Sequence, residues 1–136
     1  MGFLWFKKKL LTEKQISELI HEITRKEKHF DRYSKRIKRS YENREKKIDY
    51  TPFVDGIRFV GERIKDTLQY LDLLKRCSPL DEQVINFKNR IRELVKKINE
   101  LYTLISTKSS SSMGIKETSL EKQIKELEEK TREKLK

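Results

Sequence analysis

The 136 residues carry 33 Lys+Arg against 22 Asp+Glu, a formal charge of +11, and 40% of positions are charged against 35% hydrophobic. A chain so charged buries at most a narrow core, and two prolines, four glycines and no alanine describe long charged helices rather than a β-sandwich. The single cysteine, Cys77, excludes an internal disulfide and suits an intracellular or redox-indifferent chain.

The chain opens on MGFLWFKKKLL, in which Phe3, Leu4, Trp5 and Phe6 are backed directly by Lys7, Lys8 and Lys9. This segment is too short to span a bilayer and lacks the length and small-residue cleavage site of a signal peptide. Gly2 suits N-myristoylation, but Phe6 stands where Ser or Thr is required. Bulky apolar residues bordered by lysines fit insertion at a headgroup boundary. There each buried side chain gains roughly 1.5–3 kcal/mol, and each lysine about 1 kcal/mol on an anionic leaflet. The competing expectation is that Trp5 and Phe6 pack back onto the helices as a staple. Residues 1–11 are assigned as a hydrophobic-basic membrane anchor.

Thr12-Glu13-Lys14-Gln15 has the form of a capping box, and apolar residues from Ile16 to Ile48 then recur at three-, four- and seven-residue steps. The spacing predicts one helix over about 13–48, on the order of 50 Å long, with an apolar stripe so narrow that part of it would lack an intramolecular partner. Pro52 breaks it, and a second helix is predicted over about 54–77, with Gly61 in its interior. Ser78 as N-cap and Pro79 at the first helical position start a third, over about 79–106, which carries the strongest periodicity in the chain. A Ser-rich flexible linker (107–117) leads to a weak amphipathic helix (118–136), started by a second capping box at Thr118–Glu121 and carrying Leu120, Ile124, Leu127, Thr131 and Leu135 at helical steps. The fold class is therefore all-α: an elongated antiparallel hairpin or three-helix bundle, spanning 12–106, with a mobile C-terminal amphipathic helix.

Nothing in the sequence supports catalysis or a cofactor. Nucleotide, hydrolase, metalloprotease and thioredoxin-type motifs are lacking. His21 and His29 sit two turns apart, too far to share a metal ion, so no metal site is assigned. Charge is the informative feature. Residues 1–48 hold 15 Lys+Arg against 7 Asp+Glu, whereas 49–106 hold 10 against 9. Within the first helix, Lys28, Arg32, Lys35, Arg36 and Arg39 follow helical steps and form the candidate anion-binding face. Phosphate neutralisation would serve nucleic acid equally, but no helix-turn-helix or zinc-finger pattern occurs, and the aromatics of this helix fall on its apolar stripe.

With its FLWFKKK opening, its HFDRYSKRIKRS stretch and its NREKKI end, the N-terminal third resembles an ESCRT-III subunit, the family of the charged multivesicular body proteins and their archaeal cell-division relatives. The resemblance implies a cytoplasmic, peripheral membrane protein that docks by residues 1–11 and lays its basic helix on anionic phospholipid. It also implies assembly into homo- or hetero-oligomers through exposed helix faces, to bend or sever membrane. Residues 118–136 would then be available to an ATPase or adaptor partner. The tail departs from the family pattern, being neither acidic overall nor spaced as the ATPase-recruiting motif is. Two other classes stand beside this one: a basic helical nucleic-acid-binding protein and a helical protein–protein adaptor.

Overall fold

The computed structural model describes residues 10–42, 50–78, 81–108 and 117–135. All regular structure among them is helical: α1 (Glu13–Glu42), α2 (Thr51–Leu73), α3 (Glu82–Lys108) and α4 (Glu117–Lys134), with a 3₁₀ turn, Leu74–Arg76, closing α2. At the start of α1 the reciprocal pair forms as its spacing predicts: Gln15 N–H donates to Thr12 Oγ1 (3.1 Å), and Thr12 N–H to Gln15 Oε1 (2.9 Å).

The other helix starts differ from expectation. Pro52 does not precede α2 but lies in its first turn, where its missing N–H costs nothing, while Phe53 and Val54 donate to the Tyr50 carbonyl. α3 begins at Glu82, where the Asp81 carboxylate takes the Gln83 N–H (2.9 Å); Pro79, expected at the first helical position, lies outside the described residues. α4 already begins at Glu117, so Thr118 lies within the helix and not at its N-cap.

Cross-helix pairs give the directions. Arg36 meets Asp55 and Lys26 meets Asp66, so α2 runs antiparallel to α1. Glu27 faces Arg90, and further along Ile37 and Ile105 both close on Gly56, so α3 runs parallel to α1, and these two share the most extensive interface. α4 lies against α2 and α3, running along α2, with Lys134 3.5 Å from Asp72 and Arg92 donating to the Leu135 carbonyl.

Two consequences correct the sequence expectations. Ile16, Ile23, Phe30 and Ile37, one every seven residues, are all buried, and Leu19, Ile20 and Tyr33 are half-buried against the same core. The stripe of α1 is therefore covered over its described length, because α3 runs beside it and contributes Phe87, Ile91, Leu94, Ile98 and Ile105, all buried. Likewise α4, expected to be mobile, is packed: Leu120, Ile124, Leu127, Thr131 and Leu135 are all buried. A short amphipathic helix that is marginal alone is stabilised by that burial.

The α1–α2 seam is part aromatic and part polar. Phe59 takes Phe30 edge-on (4.8 Å) and stacks with Tyr33 (4.3 Å). Lys26 Nζ lies 2.8 Å from the Tyr70 hydroxyl, 2.9 Å from Glu22 and 3.0 Å from Asp66, and the Tyr70 hydroxyl donates to Glu22 (2.9 Å). Burial works against the Lys26 charge, but the hydrogen bonds to Tyr70, Glu22 and Asp66 outweigh it and hold the ammonium well above its ordinary pKa. Burial and the bond to Glu22 push the Tyr70 phenol up to about 12, against the pull of Lys26.

Candidate anion-binding face

Successive helical residues turn by about 100°, so the four buried residues of α1 define its inner line, and the opposite line is read by steps of three and four. That outer line is Lys14, Glu18, His21, Arg25, Lys28, Arg32, Lys35 and Arg39, every one exposed. From Arg25 to Arg39 it consists of five bases with no acid between them on the line, a straight row about 21 Å long at 1.5 Å per residue. None of the five is engaged in an ion pair among the described residues.

Four of the five residues assigned from the sequence are in this row. Arg36 is not: its guanidinium turns onto α2, with Nη2 3.1 Å from Asp55 Oδ2 and the group 5.9 Å from the Tyr33 ring centroid. The sequence could not show this, since Asp55 lies 19 positions away. Arg25 was missed from the face although it continues the same three-and-four spacing. Lys26, next to it in sequence, is spent inside the α1–α2 seam. Phe3, Leu4, Trp5, Phe6, Lys7, Lys8 and Lys9, which the sequence reading assigns to membrane binding, lie outside the described residues.

The outer lines of the other helices are mixed in sign. Arg58, Glu62, Lys65, Gln69 and Asp72 alternate along α2 and Asn89, Glu93, Lys96 and Glu100 along α3, whereas along α4 Lys122 is followed by three acids, Glu126, Glu129 and Glu133, all exposed. Among these outer lines the unbroken row of five bases belongs to α1, which makes it more than a generally charged surface. The groove between α1 and α3, lined among others by Ser17, Asn86, Asn89, Arg90 and Glu93, runs beside the row and contains none of its five bases.

Among the described residues no group of three His, Cys, Asp or Glu could hold a metal ion, and no helix is long and apolar enough to cross a membrane. Burial raises the Cys77 thiol pKa, with Asp81 adding to it, so the thiol is held in its unreactive form. Glu27 is the one strongly enclosed acid of α1, its side chain 11% exposed between α1 and α3. Desolvation raises its pKa, Arg90 (3.6 Å) and Lys97 oppose the shift, and Glu93 adds to it.

Comparison with protein-family models, with curated proteins and with solved structures gives no match.

Proposed function

We propose that the protein is a cytoplasmic, peripheral membrane-binding protein, ESCRT-III-like, which lays the outer line of α1 on an anionic membrane and inserts its opening residues at the headgroup boundary. One observation carries the reading: an exposed row of five bases, Arg25 to Arg39, on the helix that directly follows the FLWFKKK stretch. A convex, straight row suits a flat anionic surface, which every member can meet at once. Each base near such a surface contributes about 1 kcal/mol, and the apolar side chains of residues 3–6 add insertion energy. Membrane remodelling would need copies to assemble. Since the described part of the α1 stripe is covered, assembly would use other helix faces.

Nucleic acid is the competing partner, because the same row neutralises phosphates. Cosedimentation with vesicles of rising anionic-lipid content separates the two, comparing wild type with a Phe3/Trp5/Phe6→Ser variant and following Trp5 fluorescence. Membrane binding predicts pelleting and a blue shift, both lost in the variant. Equal behaviour of the two forms, together with salt-sensitive binding of duplex DNA that survives the triple substitution, would refute membrane insertion and leave nucleic acid as the partner.

A further inference from the structure

The shape of the basic row bears on what kind of anion it meets, an inference that rests on the membrane reading above. Arg25, Lys28, Arg32, Lys35 and Arg39 stand in single file on one helix, neighbours displaced by roughly 4.5–6 Å along the axis and the ends by about 21 Å. The end members therefore cannot grip one headgroup.

A ligand bearing several phosphates on one ring is held by bases converging from more than one element around a concavity. Among the described residues neither neighbouring helix brings such bases to the row, although Lys38 of α1 itself is exposed beside it. On the α2 side, Arg36 is paired with Asp55 at 3.1 Å and Lys26 with Glu22 and Asp66 at 2.9 and 3.0 Å. On the α3 side, the adjoining groove presents Asn86, Asn89 and Glu93, and its one base, Arg90, faces Glu27 at 3.6 Å. The five bases are left as separate contacts, exposed and not enclosed.

We propose that this row binds a field of singly charged headgroups, phosphatidylserine or phosphatidylglycerol in kind, and does not select a polyphosphorylated inositol headgroup. Affinity then accumulates one headgroup at a time. It rises steeply with the anionic fraction of the membrane and is indifferent to which headgroup supplies the charge. Each base removed from the row lowers partitioning about fivefold.

The test uses the full chain and phosphatidylcholine vesicles carrying rising fractions of phosphatidylserine, phosphatidylglycerol or phosphatidylinositol bisphosphate, compared at equal total surface charge. The expected result is a single binding curve for all three lipids when plotted against charge. Arg32→Gln and Lys35→Gln should each cost about fivefold, while Arg36→Gln, one residue from Lys35 in the chain, should cost less than about twofold because its charge already faces Asp55. A preference of tenfold or more for the bisphosphate at matched charge would overturn the inference, as would an Arg36→Gln loss equal to that of Arg32→Gln. Absence of binding to any of the vesicles would overturn the membrane reading and this inference together.

Discussion

Gly56 and Gly61 sit in the same helix five residues apart, and replacing each by alanine gives opposite expected signs. In a helix interior the exchange itself stabilises by about 0.8–1 kcal/mol, because glycine loses more backbone freedom on folding. At Gly61 the added Cβ would find Leu120 Cδ2 as its nearest neighbour, 4.0 Å away, an ordinary contact that displaces nothing. Gly61→Ala should therefore raise stability by about 1 kcal/mol. At Gly56 the Cβ would come within 3.1 Å of both Ile37 Cδ1 and Ile105 Cδ1, which are buried side chains of α1 and α3. Overfilling such a site costs about 1–3 kcal/mol, so Gly56→Ala should end roughly 1 kcal/mol below wild type after the helical gain is counted. With an unfolding entropy of about 2.1 cal/mol/K per residue, 1 kcal/mol corresponds to about 3 °C for a chain of this size. Thermal melts followed by circular dichroism should thus place the two variants about 6–7 °C apart, on either side of wild type. Equal melting temperatures would refute the three-helix junction at Gly56, and a destabilised Gly61→Ala would refute the open space at Gly61.

Glu27 has its folded-state pKa raised, so its contribution to stability is fully present below the unfolded value and is lost as pH rises through the folded one. Glu27→Gln should accordingly raise the melting temperature at pH 7, and the gain should shrink as the pH approaches 4; a loss at neutral pH would show that the attraction of Arg90 outweighs desolvation. Leu127 is fully buried beneath α4, and Leu127→Asp would bury an unpaired carboxylate there. Amide exchange across 117–134 should then become fast while α1 to α3 keep their protection, and unchanged exchange in α4 would refute its docking.

Helix existence was legible locally. A capping box, a 3.6-residue apolar rhythm and an absence of alternating strands depend on residues a few positions apart, so the all-α class and the Thr12–Gln15 start follow from the sequence alone. So did the positive excess of the first 48 residues and most of its outward face, since charges three and four apart on a helix share a side whatever the helix packs against. Pro52 shows where local reasoning divides: the same residue that ends one helix is well suited to the first turn of the next, and only the packing of Phe53 and Gly56 into the core selects the second use. The sequence could not decide which of the basic residues remain available. Arg36 and Lys26 have the composition of surface cations, yet their charges are taken up by Asp55, Asp66 and Tyr70 on α2. The coverage of the α1 stripe and the seating of α4 were equally out of reach, because each depends on which distant apolar face arrives opposite, and an amphipathic pattern states that a face must be covered without naming what covers it.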